Sequence, residues 1–560
     1  MKIVTVAQMV QIEQASDAAG HSYDAMMELA GRAVAAALLR HMQPWDSNGA
    51  VLVLVGPGNN GGDGLVAARY LHRWDKQRAL RVYCWKRTPG DDPNYAALQK
   101  RGIPVVHAED DPDFGQLANM LRDADVVIDA LLGTGVSRPI GGSLAELLAV
   151  VHRAKAVDDR RGANGNTVSE QADLSPESAA RALHPAADYR FLNQAPESTR
   201  PLPQVIAVDC PSGLNCDSGA LDPAALPADL TVTFANPKIG HFVGEGPGAC
   251  GRLEIADIGT DPGLARAVPL ELVTPAAMRR LLPVRPADAH KGTFGKALVV
   301  AGSVNYTGAA HLSCAAAYRS GAGLVTAGVT PSIYPVLAAG LAETTWLMLP
   351  EHHGTLSSRA AQTLSESLAG YAALLVGPGL THEAEPVRFV QEFLSAAVDI
   401  PLVLDADALN ALARADGWYE TLPERVILTP HPGEMARLCG CTTAQVGADR
   451  IGLARRKAGE WNAVVLLKGA HTVVAHPDGR ATVLPFANPA LATAGSGDVL
   501  SGVIVGLLSQ GLAPYDAAVL GGYLHGLAGE LARGDLGEAG VVAGDLVTRL
   551  PLAIRRLRAA

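Results

Sequence analysis

Aromatic residues are scarce in this sequence: Phe, Trp and Tyr make up 5% of it, against 48% hydrophobic residues in all and 59 glycines. A core so poor in rings must be filled by aliphatic side chains and close backbone approach, which suits layered helices and sheets. Long uncharged apolar runs are also missing. None reaches about 18 residues, so no membrane span is expected. The start, Met1-Lys2-Ile3-Val4-Thr5, lacks the apolar core of a secretion signal. Positive charge is in deficit, with a formal net charge of −10, which argues against nucleic acid as the main partner. The seven cysteines are scattered and odd in number, a pattern of reduced thiols in a cytoplasmic protein. Cys439 and Cys441 stand close together, but no second Cys/His pair follows at zinc-ligand spacing. The pair His352-His353 likewise has no partner and reads as a solvated loop.

What is present is an alternation of strands and helices. A chain of 560 residues exceeds one hydrophobic core, so at least two domains are expected. Ile12, Ala15, Ala18, Met26, Met27, Leu29 and Ala30 recur at helical spacing through residues 12–42. Val51-Leu52-Val53-Leu54-Val55 is a continuous apolar run of the kind parallel sheets bury on both faces. A helix is expected to begin near Gly64, with further strands at 81–85, 126–130, 205–208 and 230–234. That rhythm predicts a doubly wound sheet with ligands at the carboxyl ends of its strands. Residues 155–203 break it: mixed charge and weak periodicity suggest a mobile surface insertion with a short helix near 176–183. A tolerated loop is the plain reading of that segment, and a lid or subunit contact the functional one. A second α/β series follows, with strands at 296–301, 374–376, 402–405, 426–428 and 464–468 and helices at 309–321, 498–510 and 515–532. The stripe Leu507, Leu508, Leu512 reads as core. The boundary falls near residue 270, giving domains 1–270 and 271–560, and no repeat links the halves.

In the first domain Gly58-Asn59-Asn60-Gly61-Gly62-Asp63-Gly64 joins a buried strand to a helix. Its glycines allow positive φ and close backbone approach, and N–H groups at the helix start suit a phosphate. A tight structural turn is the plain alternative for the glycines, and the Asn pair and the Asp weigh against it. Asp129, before Ala130-Leu131-Leu132-Gly133-Thr134-Gly135, and Asp209, before Cys210-Pro211-Ser212-Gly213, add carboxylates at two further strand ends. Any one of Asp63, Asp129 and Asp209 is explained as a helix N-cap; three in succession favour a site.

With Ala228-Asp229-Leu230-Thr231-Val232-Thr233-Phe234 and Pro237-Lys238-Ile239-Gly240, these five segments resemble the NAD(P)H-hydrate epimerase family over most of residues 1–260. The resemblance implies a Rossmann-like three-layer α/β/α domain that binds a hydrated dinucleotide and a potassium ion. Carried over by position, Asn59, Asn60, Gly61, Gly62 and Asp63, with Gly133, Thr134, Gly135, Val136, Ser137, Arg138 and Pro139, would contact the ligand. Asn60, Asp129 and Ser212 would hold potassium through oxygen, and Asp209 would transfer a proton during inversion.

In the second domain the segment Ala494-Gly495-Ser496-Gly497-Asp498-Val499-Leu500-Ser501-Gly502 sets glycines before an Asp that opens an apolar helix. N–H groups there can stabilise a phosphoryl group in transfer, and Asp498 can take a proton from an attacking hydroxyl. An N-cap Asp is the plain alternative. The arrangement resembles the ribokinase-like fold. Further segments are 290–296, Gly302-Ser303, 306–310, 376–379, 404–410, Thr429-Pro430-His431-Pro432-Gly433-Glu434 and 467–472. In this order they resemble the ADP- or ATP-dependent NAD(P)H-hydrate dehydratase family across residues 275–555. By that resemblance Ala301, Gly379, His431 and Asp498 would contact the hydrate (NADHX or NADPHX). Lys468, Gly469, Ala470, His471, Thr472 and Gly497 would contact ADP, accompanied by magnesium. Taken alone, His431 between two prolines reads as a residue satisfying backbone groups in a rigid loop, and Lys468 as a snorkelling strand-end lysine.

Two other readings compete. One is a ribokinase-like kinase for a vitamin precursor, which would yield a stable phosphorylated product. The other is a first domain that serves as a non-catalytic binding module. A homo-oligomer is expected, and apolar helices such as the one at 26–39 could line a subunit contact.

Overall fold

The computed structural model describes residues 1–41, 50–88, 90, 92–135, 138–162, 203–396 and 398–559. Most of the expected insertion, with its helix at 176–183, lies outside the described residues, as do Val136 and Ser137. Contacts divide the chain into two compact units, Lys2–Val268 and Met1 with Pro269–Ala560. Both are α/β.

The first unit is built on seven strands: β1 (Ala50–Val55), β2 (Leu80–Cys84), β3 (Val105–His107), β4 (Ala124–Ala130), β5 (Gln204–Val208), β6 (Leu230–Phe234) and β7 (Arg252–Ala256). They lie in the order β3-β2-β1-β4-β5-β6-β7, every pair parallel. The helices are α1 (Val6–Ala18), α2 (Tyr23–His41), α3 (Asn59–Trp74), α4 (Pro93–Gln99), α5 (Gly115–Asp123), α6 (Ser143–Gly162) and α7 (Gly246–Ala249). The apolar run of β1 is buried throughout because both of its faces are covered. Val51, Val53 and Val55 pack with α2 and α3, while Leu52 and Leu54 pack with Leu117, Leu121 and Leu147 of α5 and α6.

Two expectations are corrected here. Helix α3 starts at Asn59, not near Gly64, so the glycine segment is its first turns, not a loop. None of Gly58, Gly61, Gly62 and Gly64 takes positive φ. A Cβ at Gly61 would stand 2.1 Å from the Gly56 carbonyl oxygen, one at Gly62 2.7 Å from Met27, and one at Gly64 2.6 Å from Ala130. These three glycines serve close packing. Helix α2 buries Met26, Ala30, Val34, Ala35 and Leu38 within the unit, where Gly31 sits against Asp63 and Val66 of α3. Finally, Cys210 and Cys216, expected to be reduced, form a disulfide. The chain doubles back after β5, with Leu214 donating to the Pro211 carbonyl and Gly219 to that of Asn215, and the two thiols meet. Cys84, Cys250, Cys314, Cys439 and Cys441 are free.

The second unit carries β8 (Leu270–Leu272), β9 (Lys296–Val300), β10 (Leu324–Val329), β11 (Thr345–Met348), β12 (Glu351–His352), β13 (Thr355–Leu356), β14 (Ala373–Val376) and β15 (Leu402–Leu404). The remaining strands are β16 (Val426–Leu428), β17 (Val464–Leu467), β18 (Val473–Ala475) and β19 (Ala481–Val483). Ten of these twelve form one sheet, ordered β11-β10-β9-β14-β15-β16-β17-β18-β19-β8; β12 and β13 form a separate hairpin. Strands β11 to β17 in that order run parallel, and β18 turns back on β17. Its helices begin with α8 (Pro275–Leu281), α9 (Thr307–Arg319), α10 (Tyr334–Gly340), α11 (Ala360–Glu366), α12 (Ala384–Leu394) and α13 (Asp407–Leu412). They continue with α14 (Pro432–Cys439), α15 (Thr443–Ala448), α16 (Arg450–Trp461), α17 (Ser496–Ser509), α18 (Pro514–Leu536) and α19 (Ala543–Ala559). Helix α17 is buried from Val499 to Ser509 and lies directly on α9. Cβ atoms at Gly502 and Gly506 would stand 2.3 Å from the Ser313 carbonyl oxygen and 2.1 Å from the Ser320 hydroxyl. Leu507 and Leu508 are core, with Leu512 packed against them. Among the described residues no helix is long and apolar enough to cross a membrane.

Candidate active sites

In the first unit, β1, β4, β5 and β6 end on one edge of a parallel sheet and gather the segments singled out in the sequence. The Asp129 carboxylate, on β4 and fully buried, accepts from the Ser212 N–H at 2.8 Å and the Ser212 hydroxyl at 2.7 Å. The Leu132 N–H donates to Ser212 Oγ at 2.9 Å, and Asn60 Nδ2 donates to the Leu132 carbonyl at 2.9 Å. Asp129 and Ser212 thus set carboxylate and hydroxyl oxygens together, and Asn60 joins the same turn through its amide nitrogen on the Leu132 carbonyl. Burial pushes Asp129 up to about 6, against the pull of its hydrogen bonds to Ser212 and Leu131. Among the described residues no positive side chain pairs with Asp129, and a buried carboxylate of this kind is one whose charge a hard cation would balance.

Asp209 follows β5 with φ +62°, a left-handed backbone rare for a residue with a side chain. Its Oδ1 accepts from Lys238 Nζ, from Thr233 Oγ1 at 2.8 Å and from the Phe234 N–H at 3.3 Å. Lys238 is fully buried, and Val4 bridges it in parallel. Burial acts to raise Asp209, but the charge and hydrogen bond of Lys238, with Thr233, hold it below the ordinary carboxylate range. Asp63 is the opposite case: burial, then Asp209 and Glu13, push it well up. Neighbouring carboxyls with pKa values driven apart are poised as base and acid. Lys238, although within a quoted motif, was assigned no role from sequence, and Glu13 and Arg87 were missed. Arg87 donates to the carbonyls of Gly56 at 3.1 Å and Gly58 at 2.9 Å while pairing with Asp92 at 2.6 Å, and so holds the start of α3. Two carbonyl acceptors 29 and 31 residues back leave no spacing signal.

In the second unit, β9, β14, β15, β16 and β17 bring Ala301, Gly379, Asp405, His431 and Lys468 to one sheet edge. The Gly302 N–H donates to the Pro378 carbonyl at 2.8 Å, tying the ends of β9 and β14. Gly379, at φ +68°, lies so close to Tyr306 that a Cβ would stand 2.8 Å from it. Lys468 Nζ donates to Asp405 Oδ1 at 2.8 Å and stands 3.7 Å from Glu434 Oε2. A Cβ on Gly497 would lie 3.5 Å from the same amine, which places the first turn of α17 beside it. Asp405 and Glu434, both almost wholly buried, were not assigned as site residues from sequence; the Asp405–Lys468 pair spans 63 residues. Lys468 is therefore an ion-paired residue, not a snorkelling one.

Asp498 is not a helix cap: Gly495 is, at φ +86°, and Asp498 lies in the first turn. Burial, then Asp405, raises it to about 7, with Lys468 pulling the other way. The N–H groups of Gly497 and Asp498 have no acceptor among the described residues. His431 behaves as the plain alternative suggests. It caps α14, its Nδ1 accepting from Gly433 at 3.0 Å and Glu434 at 3.4 Å, yet its ring stays half-exposed at the same edge. His471 is buried, its ring on the Leu484 carbonyl at 3.3 Å, and burial lowers it to about 4. Gly469 and Ala470 are exposed, and Thr472 donates to the Gly469 carbonyl. Arg138 is exposed.

Two family models match the chain: "YjeF-related protein N-terminus" over residues 23–167 and 182–240, and "NAD(P)H-hydrate dehydratase" over residues 297–552. The bifunctional NAD(P)H-hydrate repair enzyme Nnr of Moorella thermoacetica is 40% identical, covering 100% of this chain and 97% of that protein. The enzyme of the same name from Thermofilum pendens is 34% identical over the same shares. The ADP/ATP-dependent NAD(P)H-hydrate dehydratase of Bacillus subtilis, co-crystallised with ATP and Mg2+, is 33% identical with a TM-score of 0.46, covering 52% of this chain and 100% of that one. Full-length identity across both units leaves one conclusion: the chain belongs to the family of bifunctional NAD(P)H-hydrate repair enzymes.

Proposed function

We propose that the unit Pro269–Ala560 dehydrates the S form of NADHX and NADPHX at the expense of ADP, and that the unit Lys2–Val268 interconverts the R and S forms to supply it. The observation that carries the dehydratase is Asp498: a carboxyl raised to about 7 in the same turn as two N–H groups that have no acceptor among the described residues. Asp498 takes the proton of the ring hydroxyl as its oxygen bonds to the terminal phosphorus of ADP. The bond to the bridging oxygen breaks, AMP departs, and the Gly497 and Asp498 N–H groups stabilise the transferring phosphoryl. Phosphate then leaves the ring carbon with its electron pair, the adjacent carbon gives up a proton, and the dihydronicotinamide double bond forms. Hydroxide is a poor leaving group and phosphate a good one, which is why the donor is needed. His431, Ala301 and Gly379 would border the hydrate, and residues 468–472 the nucleotide. Magnesium would screen the phosphate charge, with the carboxylates of Asp405, Glu434 and Asp498 the hard-oxygen donors of this edge.

In the first unit Asp209, ionised by Lys238, serves as base and Asp63 as acid, while the first turns of α3, residues 133–135 and residues 138–139 would border the dinucleotide. Potassium on Asn60, Asp129 and Ser212 would neutralise the buried carboxylate and fix the turn after Asp209.

The test is absorbance at 340 nm on mixing the protein with NADH hydrate, magnesium and either ADP or ATP. A nucleotide-dependent rise is expected, larger with ADP. A flat trace with intact hydrate and a stable phosphorylated product would replace this reading with the kinase.

A further inference from the structure

In the turn from β17 to β18 the guanidinium of Arg450 collects the carbonyls of Lys468 and Ala470, together with that of Leu467 at the end of β17. Arg450 opens α16, and its Nη2 donates to the Lys468 carbonyl at 3.1 Å and the Leu467 carbonyl at 3.4 Å; Nη1 donates to the Ala470 carbonyl. No carboxylate balances it among the described residues. The neighbouring Asp449 accepts from the Gly452 N–H at 2.9 Å and pairs with Arg456 at 2.8 Å instead. Arg450 Nε is buried without an acceptor. An arginine placed where it meets only main-chain oxygens is costly, because its charge is desolvated without an opposite partner.

The arrangement has a consequence on the other side of the loop. Gathering the carbonyls of residues 467, 468 and 470 on one fork leaves the Gly469 and Ala470 N–H groups without an acceptor among the described residues. Both residues are exposed. Successive N–H groups turned outward form an anion-binding concavity. The fit is tight: Gly469 sits at φ +136°, and a Cβ there would stand 2.7 Å from Arg450 Nη2.

We infer that Arg450 is a positioning residue for phosphate-donor binding: by holding these three carbonyls it turns the 468–472 loop so that its N–H groups face the nucleotide's phosphates. The inference rests on the dehydratase reading above. Lysine keeps the charge but cannot span three carbonyls with a planar fork, so Arg450→Lys separates shape from charge.

The experiment is calorimetric titration of the full chain with Mg-ADP in the absence of hydrate, beside hydrate KM at saturating ADP and the Tm. Arg450→Lys is expected to weaken Mg-ADP binding about tenfold, with hydrate KM within about twofold and Tm little changed. Gly469→Ala, which displaces the same guanidinium, is expected to weaken binding similarly, and the double variant to bind no worse than the weaker single one. Wild-type affinity in Arg450→Lys overturns the inference. So do single effects that multiply, and a parallel loss of hydrate affinity and Tm, which marks a merely structural residue. A wild-type chain that binds neither ADP nor ATP removes the dehydratase reading itself, and this inference with it.

Discussion

At the scale of single residues, each candidate site sets carboxyl groups in environments that pull their proton affinities away from the ordinary. Asp498 shows how such a shift is read. Its carboxyl is raised from 3.8 to about 7, and the base is the ionised form. Dehydratase kcat is expected to fall tenfold per pH unit below about 7 and to level off above it. A pH–rate profile of the full chain, at saturating nucleotide and hydrate, checks this. The stability sign is opposite. A carboxyl whose folded pKa is raised makes the folded state bind more protons, so stability declines from about pH 4 to 7 and the full cost persists above. Asp498→Asn is therefore expected to raise Tm at pH 8 while cutting kcat by a factor of about 10² to 10⁴, with Mg-ADP binding retained. Near-normal turnover in that variant would remove the assigned role. Lys238→Met tests the other unit: without the buried ammonium, Asp209 loses the partner that keeps it ionised. Epimerase rate at pH 7 is expected to drop at least tenfold and to recover partly at higher pH, as chiral chromatography of the hydrate forms would report.

At the scale of elements, the first turns of α3 were legible as a functional segment but not as a helix. Glycine-rich sequence has poor helix propensity, and tertiary packing overrides that preference here. The reason for each glycine is visible only in three dimensions. Gly61 cannot carry a Cβ without moving the Gly56 carbonyl, whereas a Cβ on Gly58 would meet nothing within 4 Å, at φ −86°. Gly61→Ala is expected to destabilise the first unit by about 1–3 kcal/mol in denaturant unfolding, and Gly58→Ala to be close to neutral. Equal costs at both positions would show that glycine serves backbone freedom after all. Helix α17 was more readable. The glycines before Asp498 and the apolar run after it mark the element and its chemistry together, because a helix start beside a buried strand edge needs both.

At the scale of the whole molecule, two linked activities predict a behaviour that neither unit would give alone. With a mixture of R and S hydrate, Asp209→Asn in the full chain is expected to raise absorbance at 340 nm to the level set by the S form and then stall. The wild-type chain should continue to complete conversion. Full conversion at the wild-type rate by Asp209→Asn would show that Asp209 carries no epimerisation.

The amino-acid sequence by itself determined the α/β class, the buried parallel strands and the segments that gather at their ends. Continuous Val and Leu runs report two-sided burial, and motif order carries the family. It could not supply the partners of those segments. Lys238 with Asp209, Arg87 with the Gly56 and Gly58 carbonyls, Lys468 with Asp405 and Arg450 with residues 467, 468 and 470 are contacts across 17 to 63 residues. No periodicity links such positions, and several acceptors are backbone carbonyls that every residue possesses. The tertiary structure alone decided them, because a charge finds its partner through the packing of strands and helices and not along the chain.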